Sequence, residues 1–307
     1  MQRVRLMGWC HTCVSGMHLP AFAAAEGGLF AEQGLEVEFV GCARAPDYSL
    51  KGFTARPKAI AAGDADFALS SVAYLLAAQT ELGGRLPVRF AAVAHQRNPI
   101  VGIVRGDSDL EGPEDLAGAR AARWSIPWFT QEYAGALAHM GIGPPEIVER
   151  SEDLDGALGR GEIDVIPTWM DMTLYHHQAD FLIQTIPLDI EVYTTGLMVA
   201  DRVPLELVSR FRDAWVAGYE LQLEQPELGI SAFRRQYPDV SEEHVRANWA
   251  LFEPYAVDGV VAPGSMDSER WRETIDYTAT THGLSPFGGE RLYRPEFLAP
   301  AREYAAA

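Results

Sequence analysis

The chain has little lysine, few cysteines and no long apolar run, and each shortage excludes a class of protein. Lysine occurs only at Lys51 and Lys58, so that arginine carries nearly all of the positive charge. The 43 acidic residues outnumber the 25 basic ones, and a net charge of −18 repels nucleic-acid phosphates. No apolar run approaches the roughly 20 residues of a transmembrane helix. The sequence therefore predicts no nucleic-acid partner and no membrane-spanning segment.

The three cysteines are an odd number, and all of them precede residue 43. This count provides no disulfide framework and favours reduced thiols. The N-terminus does not look like a secretion signal, because Trp9 and His11 interrupt the apolar stretch that such a signal needs. As written, the chain is predicted to be cytoplasmic; it would be periplasmic or extracellular if a leader had been removed.

What the sequence does contain is a regular alternation of strand-like and helical segments. LEVEFV (35–40) and EIDVIPTW (162–169) are typical of strands, and amphipathic helix dominates from about Pro204 onward. Such alternation predicts an α/β fold with mostly parallel sheets and helices on both faces. Two such blocks followed by a helical C-terminal part predict two lobes with a cleft between them.

Side chains with binding chemistry cluster where the predicted strands end. In open α/β sheets, ligands sit beyond the carboxyl ends of the strands. Four such ends carry indoles, thiols, imidazoles or hydroxyls: Trp9–Cys13, Ser70–Ser71, Trp124–Trp128 and Thr168–Trp169. Because indole offers a large flat face and one N–H donor, these ends predict one cavity for a flat or partly apolar ligand.

The segment from Cys10 to His18 is the richest in reactive side chains. Structural zinc takes four ligands, usually in two separated pairs, and the Cys10, His11, Cys13 spacing matches no common pattern. A thiol here becomes a nucleophile only if a base such as His18 or a helix N-terminus favours its thiolate. It is otherwise a small apolar side chain in the wall of a pocket. Both interpretations of the thiols stay open.

Longer stretches carry a resemblance to a known family. HLPAFAAAEGGLFAEQGLEVEFV, followed by AIAAGDADFALSS, resembles the type II periplasmic-binding-protein fold. Within that fold the chain is most similar to the group of aliphatic-sulfonate-binding proteins and the yeast-type thiamine-pyrimidine synthase. DLAGARAARWS and GRGEIDVIPTW also fit the pattern of this group. The resemblance implies a two-lobed fold with an interlobe cleft, but it implies no single activity, because the group contains both receptors and enzymes.

The enzymes of this group match the chain only in part. Where the pyrimidine synthase has a cofactor-binding lysine and a reactive histidine, this chain has Ser70 and Tyr74, so no cofactor is expected. An aromatic-sulfinate desulfinase of the same fold has a cysteine in a place comparable to Cys10 or Cys13. Lys51 or Arg56 could stand near its arginine, whereas its histidine has no counterpart in the following segment.

These observations predict a solute-binding protein that holds a small organic ligand, aromatic, heteroaromatic or anionic, and delivers it to the permease of an ABC importer. Lobe 1 would comprise 1–98 and 195–307, and lobe 2 would comprise 99–194. The predicted ligand-binding residues are Trp9, His11, His18, Ser70, Ser71, Trp124, Ser125, Trp128, Thr168 and Trp169.

The alternative is a cytoplasmic enzyme on the same scaffold. It would be a cysteine-dependent, desulfinase-like lyase or hydrolase, with Cys10, Cys13 and His18 as its catalytic residues. Neither hypothesis includes a metal ion or a cofactor.

Overall fold

The computed structural model describes residues 1–9, 16–41, 50–123, 127–150, 152–176, 181–257 and 262–299. The strands are β1 (Gln2–Trp9), β2 (Leu35–Gly41), β3 (Phe67–Ser71), β4 (Val88–Val93), β5 (Ile100–Arg105), β6 (Arg120–Arg123), β7 (Glu146–Glu149), β8 (Ile166–Trp169), β9 (Ile183–Pro187) and β10 (Thr195–Ala200). The helices are α1 (Leu19–Glu26), α2 (Leu29–Glu32), α3 (Leu50–Ala62), α4 (Val72–Leu82), α5 (Pro127–His139), α6 (Leu154–Gly159), α7 (Leu205–Glu224), α8 (Pro226–Gln236), α9 (Glu242–Ala256) and α10 (Ser268–His282). Among the described residues, no helix is both long and apolar enough to cross a membrane.

The first sheet contains five strands in the order β2-β1-β3-β10-β4. β1 pairs in parallel with β2 and β3, whereas β10 is antiparallel to both β3 and β4. Four strands therefore run in one direction, and only the late strand β10 runs against them. This arrangement confirms the predicted mostly parallel α/β class.

The second half of the fold repeats this strand order. β5 is antiparallel to its neighbours β8 and β9, and β6 is parallel to β7. A parallel bridge from Ala121 to Val165 connects β6 to the residue just before β8. The strands thus follow the order β7-β6-β8-β5-β9, and β5 alone is reversed. Each half of the fold consequently has one reversed strand, which is the first strand after the chain crosses over.

The chain crosses between the two sheets twice, at 94–99 and at 188–194. The crossings are hydrogen-bonded to each other, since Asn98 N donates to Ile190 O at 3.0 Å and Leu188 N donates to Ile100 O at 3.2 Å. From the sequence we expect these crossings near 99–105 and 191–198. They come a few residues earlier because the apolar runs IVGIVR and TGLMVA lie within the sheets as almost wholly buried strands.

Helices enclose both sheets and form the apolar cores. The core under the first sheet includes Trp215, Phe211 and Tyr219 of α7, and its aromatic rings pack directly on β3 through Phe67. A second core lies around α5, β5 and β8 and includes Trp128 and Trp169. Helix α7, which belongs to the predicted helical C-terminal part, therefore packs against the first sheet.

Candidate functional site

The carboxyl ends of β3 and β8 meet at one histidine of the first crossing, His95. Ser71 of β3 pairs with Thr195 of β10, and Thr195 Oγ1 lies 2.5 Å from His95 Nδ1. The imidazole also meets the indole of Trp169 edge-on, with ring centroids 6.1 Å apart. The structure thus brings together two of the predicted strand ends, 70–71 and 168–169. Their role in ligand binding stays a prediction.

Five polar atoms on the segments that meet here are buried without hydrogen-bond partners in the described part of the chain. An unsatisfied buried polar group costs about 1–3 kcal/mol, and nearly all such groups in native proteins are paired. Both sheets and both crossings contribute to this set, which we call the orphan cluster. Its atoms are Ser70 Oγ, His95 Nε2, Thr168 Oγ1, Trp169 Nε1 and Thr194 Oγ1. A ligand that contacts these segments can supply partners for such atoms.

Aromatic rings surround the orphan cluster. Phe252 of α9 lies against the His95 ring at a centroid distance of 4.9 Å, and Phe129 of α5 lies 5.6 Å from Trp169. On the same side, the Asn248 amide of α9 donates to Asp171 O, just beyond Trp169, at 3.0 Å. α9 therefore holds the end of β8 against the first sheet. This environment is typical of a site for a flat apolar body with polar edges.

His95 is electrically neutral at ordinary pH. It is almost fully buried, and the loss of hydration lowers the pKa of its imidazole from 6.5 to about 3. The sequence prediction missed this residue, although the signal was present. VRFAAVAH reads as a strand that ends in His95, so the rule that selected the other strand ends applies to it as well.

The buried imidazole makes the fold sensitive to acid. In the unfolded chain this histidine binds a proton near pH 6.5, whereas in the folded protein His95 binds one only near pH 3. Between these two pH values the unfolded state therefore holds more protons than the folded state. The contribution of the neutral His95 ring to the free energy of unfolding is fully present above pH 6.5 and is lost as the pH falls towards 3. In urea unfolding, His95→Asn should lose less stability than the wild type between about pH 7 and pH 4. Parallel pH curves for the two proteins would contradict this prediction.

Trp128 lies where the two halves touch, but protein already covers one of its faces. Its indole stacks on the imidazole of His282 from α10, with centroids 3.5 Å apart and planes inclined by 8°. Tyr74 of α4 lies 5.7 Å away. Trp128 therefore packs in the contact between the two halves, and His282 covers one face of its indole. Its Nε1 has no hydrogen-bond partner among the described residues.

One turn further along α5, Glu132 ties the same two halves together. Its carboxylate accepts hydrogen bonds from the Asn98 amide in the first crossing and from the Tyr277 hydroxyl of α10. His282 Nε2 lies 2.6 Å from Glu132 Oε2, and both side chains are almost wholly buried. Burial and the Glu132 carboxyl raise the pKa of Tyr277, so its hydroxyl keeps its proton. We call these four residues the Glu132 cluster.

An open groove of about 910 Å³ runs between α5 and α10 beyond the Glu132 cluster. Gln131 and His139 line it from α5, and Glu269, Glu273 and Asp276 line it from α10. The groove is lined by helix surfaces and does not reach the strand ends. It is therefore a different place from the cleft that the sequence predicts.

His18 packs on the backbone of β1. It is buried, and its Nδ1 lies 3.0 Å from the position that a Cβ at Gly8 would occupy. A void of about 10 Å³ beside the ring, bounded by Phe39 and Tyr237, is too small for an organic ligand. The absence of a side chain at Gly8 is what allows the imidazole to lie there.

This close approach predicts the effect of adding one methyl group. Gly8→Ala should push the His18 ring aside and lower the free energy of unfolding by about 1–3 kcal/mol, as overpacking does. The matched control is Gly84→Ala, where a Cβ would have no neighbour within 4 Å. Equal urea midpoints for the two variants would contradict the close packing of His18.

The remaining predicted site residues have other positions. Ser71 caps α4, since its Oγ accepts from Ala73 N at 3.2 Å. Trp9 ends β1, and only its backbone is described. Five predicted residues lie outside the described residues: Cys10, His11, Cys13, Trp124 and Ser125.

Two cations of α3 have protein partners, and the side chain of Lys51 lies outside the described residues. Lys58 pairs with the carboxylate of Glu81, and Arg56 Nη1 donates to Leu69 O at 3.2 Å. Arg56 thus lies beside the end of β3, next to Ser70. In the described ranges, no group of three or more His, Cys, Asp or Glu side chains is arranged to hold a metal ion.

The comparisons with known proteins concern the family and the fold. The family model described as NMT1/THI5 like matches residues 15–228. The periplasmic aliphatic sulphonate binding protein SsuA from Escherichia coli has a TM-score of 0.68 at 12% identity, over 98% of this chain and 95% of that chain. No curated protein sequence matches the chain.

Two further solved structures carry bound sulfur oxyanions. The alkanesulfonate-binding protein SsuA from Xanthomonas axonopodis pv. citri, bound to MOPS, has a TM-score of 0.58 at 13% identity, over 97% of this chain and 96% of that chain. A cysteine-to-serine mutant of DSZB in complex with biphenyl-2-sulfinic acid has a TM-score of 0.57 at 16% identity, over 96% and 97%. At these identities the likeness shows the fold, and it confirms the periplasmic-binding-protein fold predicted from the sequence.

Proposed function

The chain belongs to the NMT1/THI5-like family, and from this premise and the site geometry we propose that it is a solute-binding protein. It holds one small organic molecule between lobe 1 (1–98 and 195–307) and lobe 2 (99–194). The single observation that carries this proposal is the orphan cluster, whose buried atoms come from both sheets.

The aromatic surroundings support a flat ligand. Trp169 and Phe252 pack against His95, Phe129 packs against Trp169, and the segments that carry these rings also carry atoms of the orphan cluster. An anionic group on the ligand has a candidate partner in Arg56, which lies beside Ser70 at the end of β3. The aromatic or heteroaromatic part would then lie towards His95.

Closure of the two lobes would bury the ligand. The crossings at 94–99 and 188–194 join the lobes and bond to each other, so they form the natural hinge. The complex would deliver its ligand to the permease of an ABC importer, and in that role the protein acts outside the cytoplasmic membrane. Structural neighbours of this kind, such as the E. coli sulphonate-binding protein, are periplasmic.

Native mass spectrometry of the protein as purified tests this proposal. We expect a retained small molecule that is released on denaturation, or a rise in melting temperature with some member of a panel of aromatic amides, carboxylates and sulfonates. A bare protein whose melting temperature no panel member raises would contradict solute binding. A covalent adduct on the peptide 6–29 would instead favour the enzyme hypothesis, with Cys10 or Cys13 as the nucleophile.

A further inference from the structure

His95 occupies a position that both halves of the protein touch. It follows β4 of the first sheet, and its backbone N–H donates to Thr195 O at 3.2 Å. Its ring meets Trp169 of β8 on one side and Phe252 of α9 on another. Any change in the angle between the halves therefore changes the surroundings of this ring.

Only one nitrogen of the ring is used by the protein. Nδ1 lies 2.5 Å from Thr195 Oγ1, and Nε2 has no partner among the described residues although it is buried. The Thr195 hydroxyl can donate to Nδ1 or accept from it, so Nε2 can be either a donor or an acceptor. The imidazole can adapt its free nitrogen to the ligand by moving one proton.

We propose that His95 determines ligand specificity by forming a hydrogen bond through Nε2 to an uncharged group of the bound molecule, such as an amide or a ring nitrogen. This inference rests on the proposed function and names the chemistry of the ligand at the hinge end of the site. The ligand is thus flat and has an uncharged polar edge that faces the first crossing.

The surroundings favour an uncharged group over an anion. The Trp169 indole beside the imidazole and the Thr195 hydroxyl on Nδ1 are uncharged, and burial holds His95 itself in its neutral form. Asp171, buried two residues beyond Trp169, places a carboxyl group on this side. The cation of the same crossing, Arg97, bonds to both carboxylate oxygens of Asp189 at 2.8 Å.

Three small probes and two variants test the proposal by isothermal titration calorimetry. Benzamide, benzoate and benzenesulfonate share one ring and differ in the charge of the polar group. The contribution of His95 should be confined to benzamide, so the affinities for benzoate and benzenesulfonate should change by less than about 2-fold when His95 is replaced. His95→Asn keeps an amide at the position of Nδ1 but none at Nε2, and it should lose about 10-fold in benzamide affinity. His95→Gln restores an amide near the position of Nε2 and should recover most of this loss.

The outcomes separate the proposal from the function on which it rests. Equal losses of affinity for benzamide and for the two anions in His95→Asn, or equal benzamide affinity in the wild type and His95→Asn, would overturn the role of His95 and leave solute binding intact. Binding of none of the probes by a folded wild type would count against the flat-ligand site itself, and against His95 with it. Near-UV circular dichroism of each variant shows that the fold is retained, because His95→Asn can still bond to Thr195.

Discussion

Glu132→Ala is expected to lower the free energy of unfolding by about 3–5 kcal/mol, because it leaves several buried donors without their acceptor at about 1–3 kcal/mol each. The Glu132 carboxylate is the common acceptor for Asn98, Tyr277 and His282, which come from the first crossing and from α10. Alanine would leave the donors of all three buried without this acceptor. Loss of the Glu132 carboxylate should also weaken the contact between the two halves, because Trp128 stacks on the same His282 ring.

Urea unfolding of this variant measures the loss, and an exposed glutamate provides the control. Glu206 of α7 has a side chain that is 87% exposed, so Glu206→Ala should change stability by less than about 0.5 kcal/mol. Glu132→Gln keeps the shape and one acceptor, and it should fall between the wild type and Glu132→Ala. If Glu132→Ala proved as stable as Glu206→Ala, the Glu132 cluster would not be what joins α5 to α10.

Trp169→Ala is expected to damage both stability and binding, whereas Trp215→Ala should damage stability alone. Both indoles are buried, and truncation of a core tryptophan typically costs about 3–5 kcal/mol. Only Trp169 touches His95 and belongs to the orphan cluster. Trp215 packs on Tyr219 within the core of the first half.

The comparison needs affinity and stability measured on the same samples. With benzamide or whichever of the three probes the wild type binds best, Trp169→Ala should lose at least about 10-fold in affinity. Trp215→Ala should bind within about 2-fold of the wild type at a temperature where both variants are folded. Equal losses of affinity in the two variants would mean that binding follows general stability and that Trp169 has no part in the site.

Much of the fold could be predicted from the sequence because its signals are local. The run FALSS is buried throughout as β3, and α4 starts directly after it at a serine cap. The glycines after the predicted helices act as stops, as at Gly83, which takes a left-handed conformation at the end of α4. The rule that ligands bind at strand ends also located 70–71 and 168–169, which the structure brings to one imidazole.

The features that the sequence could not show depend on contacts between distant segments. Glu132 and His282 are 150 residues apart in the chain, and no periodic pattern indicates that they pair. For the same reason the sequence, which predicts Trp128 as a ligand-binding residue, does not show that His282 covers one face of its indole. His18 read as a ligand donor, and its contact with the bare backbone of Gly8 becomes visible only in three dimensions.

Fluorine NMR of the protein labelled with 5-fluorotryptophan tests most directly whether the meeting point of the two sheets is the binding site. The chain has 7 tryptophans, and single substitutions to phenylalanine assign their resonances. On saturation with the best-bound probe, the Trp169 resonance should shift, while those of Trp215 and Trp271, both wholly buried in the first core, should stay in place. A shift confined to Trp215 or Trp271, with Trp169 unmoved, would place the ligand elsewhere and contradict the account.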